Sequence, residues 1–426
     1  MTDSRPFAGI RVVEFGQFIA IPFCGQLLAE GGAHVIKVES LEGDPVRQLA
    51  PLAPGETRHF ISRNRGKHSL PLDLKHPDAR RIIDRLLERA DVVLFNFRPG
   101  LAEELGLDYA ALAPRYPRLV VGSVTGFGTK GPDAMLAGMD LVLQARSGLM
   151  ASNGRVKDGV PSPGESPIAD YVCALSMAFG VAAALLRRTV TGKGGHVQAA
   201  LLMAAMLAQN NSMVRAASED IARHASVLAT LERLRATGAP YEEQAEVIPH
   251  TRTPGMVAIY YRTYRVKDAT VGIACVSPGI QRTLMKAVGL EDAAHTRTMT
   301  PEEAARHYDQ FRSKMEDVMA SRTAAEWKTI FDKAGVPNAQ VRFNVEMFED
   351  PQALANGFFH DLPHPSVGPV RVLAPPIRLD GDGFQPAAPT PAFGSETRAI
   401  LREIGFSEDE AAALVKSRAT RDTPLA

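Results

Sequence analysis

The sequence predicts an α/β protein whose first third builds a mostly parallel sheet and whose middle forms a smaller α+β region. Three observations predict it. Short β-branched runs alternate with helical stretches as far as Val124, the texture turns helical and apolar after Gly126, and a mixed pattern of hairpin and amphipathic helices follows from about residue 216. Strands alternating with helices call for a parallel sheet that binds ligands at the carboxyl ends of its strands.

Taken in order, Ile10 to Phe15 reads as the first strand, and Pro22 to Glu30 as a helix stopped by Gly31-Gly32. His34 to Val38 is the next strand and Ser69 to Leu74 another. Pro77 opens a helix that gathers Ile82, Ile83, Leu86 and Leu87 on one face. Asp91 to Phe97 and Leu119 to Val124 follow as buried strands. Residues 168–188 and 195–210 read as two helices that are apolar nearly all round, and such helices must be covered by a core or by another subunit. Residues 218–248 read as charged helix, Tyr260 to Val266 and Thr270 to Cys275 as a hairpin, and 278–289, 301–320 and 323–334 as helices. Short strands at Ala339 to Phe343 and Val370 to Leu373 lead to an extended Pro-rich stretch at 385–391, then to one or two helices over 395–415.

Composition excludes several function classes. The chain has 426 residues, with 48 Lys and Arg against 48 Asp and Glu. A zero balance supplies no global field for nucleic acid or an acidic membrane, so neither is expected as a partner. The charge-free apolar run from Tyr171 to Leu186 falls short of the ~20 residues of a membrane span, and is expected to be a buried helix. The first residues, Met-Thr-Asp-Ser-Arg-Pro, show no apolar targeting segment. Cys24, Cys173 and Cys275 are far apart and form no C-x-x-C pair, so a disulfide framework or structural zinc is not expected and a reducing cytoplasm is. His360 and His364 have i, i+4 spacing, but Pro363 between them rules out a shared helical face, and no metal is expected. No G-x-S-x-G, G-x-x-x-x-G-K-[ST] or H-E-x-x-H motif occurs.

Four segments carry candidate chemistry. Gly126-Phe-Gly128-Thr-Lys-Gly131 is a literal G-x-G-x-x-G after a strand, open to a dinucleotide reading. Pro132 follows it at once, however, and no acidic residue ends a following strand, which favours a tight or gating loop. Asn96-Phe97-Arg98-Pro-Gly100 ends a buried strand and could grip phosphate through its Arg. Asn64-Arg65-Gly66-Lys67-His68 is a second basic turn, with solvated turn chemistry as the plainer alternative. Asp170 opens the apolar helix. It is either an ordinary first-turn carboxylate that caps backbone N–H groups, or a nucleophile held ionised by the helix end.

Together these segments resemble the class III CoA-transferase family, the formyl-CoA transferase and carnitine CoA-transferase group. The resemblance runs from Gly9-Ile-Arg-Val-Val-Glu-Phe through Gln26 to Glu39, Asn64 to Lys75, Asp91 to Gly106 and Ser123 to Pro132. It continues at Ala169-Asp170, Thr191-Gly-Lys-Gly194 and Phe393-Gly-Ser-Glu-Thr-Arg to Gly405, and is weakest over 213–335. It implies a Rossmann-like large domain built from both chain ends (1–215 and 336–426), a small α+β domain (216–335), and an interlocked homodimer. It also implies that Asp170 is the nucleophile. CoA would lie against Ile19, Ala20, Arg65, Lys67, Asn96, Phe97 and Arg98, with acyl-CoA and a small carboxylic acid as substrates and no permanently bound cofactor. The family's chemistry passes through an aspartyl anhydride and an aspartyl-CoA thioester, and family frequency favours a dicarboxylate such as succinate as one acid.

The chain also departs from the pattern. Residues 213–260 hold no run of glycines of the kind that shields the intermediate in some members. Glu104 and Ser40 stand where formyl-CoA transferases carry CoA-contacting arginines. The related α-methylacyl-CoA racemases share the fold and need a Gly-His-Asp segment; here it reads Gly138-Met139-Asp140, and Met cannot relay a proton. That substitution sets transferase above racemase. A CoA-thioester-binding protein without turnover and an NAD oxidoreductase are the remaining alternatives.

Overall fold

A computed structural model describes residues 4–249, 252–386 and 388–425. The chain forms two compact units, one of Met1–Ser226, Leu234–Ala245 and Leu354–Ala426, the other of Val227–Arg233 and Glu246–Ala353.

The first unit is built on six strands: β1 (Arg11–Phe15), β2 (His34–Glu39), β3 (Lys67–Pro71), β4 (Val92–Phe95), β5 (Val120–Thr125) and β6 (Gly195–Ala200). They lie in the order β3-β2-β1-β4-β5-β6, and every adjacent pair is parallel. The strand order reverses between β1 and β4, which opens a crevice at their carboxyl ends. Helices cover both faces. On one, α1 (Ala20–Glu30) and α4 (Ile168–Thr191) pack Cys24, Leu28, Met177 and Val181 against Val12, Val35, Val92 and Leu94. Between them in the chain come α2 (Ala79–Leu87) and α3 (Asp140–Ser147). On the other face α2 buries Ile82, Ile83, Leu86 and Leu87, the row its spacing predicts, together with Ile400, Leu401 and Leu414 from the end of the chain.

Two expectations change here. Residues 195–200 are not helical: all six pair with β5, from Gly195 opposite Val120 to Ala200 opposite Thr125, and only then does α5 (Leu201–Leu207) begin. An apolar run satisfies either period, and the open edge of β5 selected the strand. The apolar helix α4 runs 24 residues, long and apolar enough by length and composition to cross a membrane. In this fold one face is buried against α1 and the sheet, while Leu175, Phe179, Leu186 and Val190 on the other are exposed.

The second unit holds an antiparallel sheet of β7 (Tyr261–Arg265), β8 (Thr270–Ala274) and β9 (Asn338–Gln340), with β8 central. Helices α6 (Pro278–Val288), α7 (Pro301–Ala320) and α8 (Ala324–Ala334) enclose a core around Trp327, Phe331, Met315 and Tyr260. Both α7 and α8 start at capping boxes, Thr300 with Glu303 and Thr323 with Glu326, which satisfy the first-turn donors reciprocally. Because β9 bonds to β8, residues 338–340 belong to this unit rather than to the large one.

The returning chain forms the hairpin β10 (Phe359–His364) and β11 (Gly368–Leu373), then α9 (Thr397–Glu403) and α10 (Glu408–Lys416). Its Pro-rich stretch is tied down at two described positions: Gly66 donates to the Ala388 carbonyl at 2.9 Å, and Gln385 donates to the Glu30 carbonyl at 3.0 Å.

Candidate active site

The reversal of strand order brings two of the predicted turns together. The residues after β1 lead through Gln17 to Ile19, the N-cap of α1, while β4 runs into Asn96. The Asn96 amide clamps the first turn from both sides, accepting from Gln17 N at 2.9 Å and donating to Gln17 O at 2.9 Å. Ile19, Ala20, Asn96, Phe97 and Arg98 thus share one crevice. Within the first turn Phe18 has φ +63°, a left-handed conformation that a bulky side chain adopts only under constraint. Phe97 stacks on Phe95 at 5.1 Å, which anchors the second turn. Arg98 is exposed and held by Glu104 at 2.9 Å, so in this structure its guanidinium already has an anion.

The other basic turn faces inward. Arg65 and Lys67 are buried, and their charges serve the interior. Arg65 pairs with Glu30 at 2.7 Å and donates to the Leu373 carbonyl at 3.1 Å. Lys67 Nζ meets Glu14 at 2.8 Å, Asn64 at 2.9 Å and the Pro22 carbonyl at 2.8 Å. Burial brings the Lys67 ammonium down to about 8 against the pull of Glu14. A methyl group on Gly25 of α1 would land on Glu14 Oε2, so glycine there is what lets the helix pass over this ion pair. The charges brace α1 from below instead of facing a ligand.

Asp170 lies in the first turn of α4, 9% exposed. It does not cap the helix, and no described residue donates a hydrogen bond to its carboxylate. The relation is inverted: the Asp170 backbone N–H donates to Asp140 Oδ1 at 3.1 Å, so α3 supplies the cap for α4. Asp140 is held in turn by the Gln144 amide. The turn that carries it is set by Gly126 and Gly138, whose backbones approach so closely that a Cβ on Gly126 would stand 2.8 Å from Gly138 Cα. This close approach is what Gly126 of the G-x-G-x-x-G segment provides.

Electrostatics changes the expected state of Asp170. Burial, reinforced by the like charge of Asp140 and opposed by Arg63, pushes its carboxyl up from 3.8 to about 7. Desolvation therefore outweighs the helix end, and the group is divided between acid and carboxylate at neutral pH. Tyr171 meets Phe23 edge to face at 4.9 Å, which ties the start of α4 to the first turns of α1. Arg63 donates to the Tyr171 hydroxyl at 3.5 Å, with its guanidinium carbon 5.9 Å from that ring. One turn along the helix, Cys173 is fully buried and its thiol is raised to about 12, too high for a thiolate nucleophile. Asp140 and Arg63 were missed as members of the site. Nothing in their spacing marks them, although Asp140 does sit in the Gly138-Met139-Asp140 segment.

The arrangement offers a buried carboxylate with open oxygens, a neighbouring acid, a cation, and a crevice one helix turn away. It suits attack by a carboxylate on an activated acyl group.

The model for CoA-transferase family III matches residues 7–397. The chain is 29% identical to the cinnamoyl-CoA:phenyllactate CoA-transferase of Clostridium sporogenes, over 98% of this chain and 97% of that protein. It is 31% identical to the succinate–glutarate CoA-transferase of Agrobacterium fabrum, over 95% of this chain and 98% of that one. Among solved structures, a CAIB/BAIF family protein from Brucella suis superposes with a TM-score of 0.72 at 28% identity, covering 94% of this chain and all of that one. Rv3272 from Mycobacterium tuberculosis does so with 0.75 at 27%, covering 93% and 99%.

Proposed function

This chain belongs to CoA-transferase family III and is a CoA-transferase; we propose that it moves CoA from an acyl-CoA to a carboxylic acid with Asp170 as covalent nucleophile. The observation that carries the reading is the carboxylate of a residue only 9% exposed, with no hydrogen-bond donor among the described residues, on the first turn of a helix. A carboxylate held by hydrogen bonds would be a weaker nucleophile, and none from a described residue holds this one.

The steps follow from that chemistry. One Asp170 oxygen attacks the thioester carbonyl, the C–S bond breaks, and a mixed anhydride forms with CoA thiolate as leaving group. The thiolate attacks the aspartyl carbonyl of the anhydride, releasing the donor acid and leaving Asp170 as a CoA thioester. An acceptor carboxylate reverses the two steps and departs as acyl-CoA. Burial keeps water from the anhydride and the thioester, and each is worth far more to transfer than to hydrolysis. Binding energy from the remote nucleotide end of CoA, in the crevice of Ile19, Ala20 and Asn96 to Arg98, holds the thioester against Asp170. Arg98 would exchange Glu104 for a phosphate.

A dicarboxylate such as succinate is our choice for one of the two acids, in line with the succinate–glutarate relative. We place the enzyme in the cytoplasm, in keeping with three free, buried cysteines. We also propose a homodimer: Leu175, Phe179, Leu186 and Val190 on α4, with Met203 and Leu207 on α5, form an exposed apolar surface suited to a second copy. Met139 is half exposed and has no proton to move, which supports transfer over racemisation.

The test is intact-protein mass after incubation with acetyl-, succinyl- and cinnamoyl-CoA, for wild type and Asp170→Ala. A CoA-sized, hydroxylamine-sensitive adduct on wild type alone supports the reading. Absence of an adduct, together with α-proton exchange in deuterated water, would overturn it.

A further inference from the structure

Six Lys or Arg side chains are buried among the described residues: Lys37, Arg47, Arg63, Arg65, Lys67 and Arg188. Five of them meet a carboxylate. Lys37 and Lys67 pair with Glu14, Arg47 with Glu39, Arg65 with Glu30, and Arg188 with Asp91. Arg63, 7% exposed, makes no ion pair among the described residues. Its hydrogen bonds, to the Tyr171 hydroxyl at 3.5 Å and the His59 carbonyl at 3.4 Å, are at the long limit. A guanidinium has five donors, and leaving one buried without an anion is costly. The exception bonds to Tyr171, the residue next to the candidate nucleophile, and its charge acts on Asp170.

The chemistry of the second half of the reaction asks for such a group. The acceptor arrives as an anion, and the Asp140 carboxylate, bonded to the Asp170 backbone N–H, adds like charge near the residue it must attack. Resting on the transferase reading, we infer that Arg63 is the binding residue for the reacting carboxylate of the acceptor acid, docking it through its planar fork against the acyl carbon of the Asp170–CoA thioester. One acceptor oxygen attacks that carbon, the C–S bond breaks, and CoA leaves as thiolate. The product is the acyl–aspartyl anhydride, from which the thiolate takes the acyl group and returns Asp170 to a carboxylate. Arg63 offsets charge throughout and exchanges no proton. The planar fork matches a carboxylate in bidentate fashion, and this role does not require a polyanion in so enclosed a place.

The test separates the two half-reactions. Wild type, R63Q and R63K are loaded from acetyl-, succinyl- or cinnamoyl-CoA. The isolated adduct is then chased with succinate, with phenyllactate, or with hydroxylamine, an uncharged nucleophile, and its decay is followed by mass. In R63Q, discharge by either acid slows about 100-fold and loading, which expels the donor acid through the same transition states, slows with it, while discharge by hydroxylamine is unchanged; R63K falls between. Equal slowing with hydroxylamine, loss confined to the loading step, loss with succinate alone, or unchanged discharge by acid would each overturn the assignment. If R63Q does not fold, R63K is held to the same criteria, with a smaller loss. If wild type forms no adduct, the transferase mechanism itself fails, and this inference with it.

Discussion

Replacing Asp170 by Asn should stabilise the fold while abolishing the adduct, and the stabilisation should depend on pH. In the folded chain the carboxyl titrates at about 7 instead of 3.8, because it is buried and faces Asp140. The folded protein therefore holds a proton that the unfolded chain has already released. Stability from this group is complete below about pH 4, falls as pH rises toward 7, and is lost above it. At about 1.4 kcal/mol per pH unit, the interval corresponds to a ceiling of about 4 kcal/mol at pH 8 and under about 2 kcal/mol at pH 5. Asn carries no charge at either pH and removes the penalty. Thermal unfolding at matched protein concentration should show D170N melting roughly 2–5 °C above wild type at pH 8, with a clearly smaller gain at pH 5. A gain independent of pH, or a loss at pH 8, would refute the argument that Asp170 is a desolvated carboxylate. The active site would then not be bought with stability in this way.

Three further outcomes are expected. The kcat/KM for acyl-CoA should rise with pH and level off above about 7 as Asp170 ionises, and Asp140→Asn should move that rise to lower pH by removing the like charge; an unmoved or alkaline-shifted profile would contradict it. Glu104→Gln frees Arg98 from its exposed ion pair and should lower KM for acyl-CoA about 2–5-fold at low salt, less at high salt. An unchanged or higher KM would remove Arg98 from the CoA site. Lys67→Met leaves Glu14 short of a partner in the interior and should cost about 3–5 kcal/mol, read from denaturation; a cost below about 1 kcal/mol would mean the ion pair does not brace α1.

Local geometry was legible without a structure. The apolar row on α2, the Gly31-Gly32 stop after α1, the hairpin of β7 and β8, and the helices α7 and α8 all follow from residues a few positions apart, where helical or strand period acts. The candidate Asp170 came from the resemblance, as one member of a long joint pattern. The apolar stretch 195–207 was not legible, because its composition suits helix and strand alike, and the free edge of β5 divided it between β6 and α5. Charges were least legible. From the sequence Arg65 and Lys67 offered cations to a ligand, yet folding turned them onto Glu30 and onto Glu14, 53 residues from Lys67. Arg63, in the same turn, was carried instead to Tyr171, 108 residues away, and Asp140 was brought to the Asp170 backbone across 30. The period of a helix or strand is set by neighbouring residues, so the sequence alone determined the elements. Which carboxylate is paired and which is left bare depends on contacts through space, so only the tertiary structure decided that Asp170 is left without a donor among the described residues.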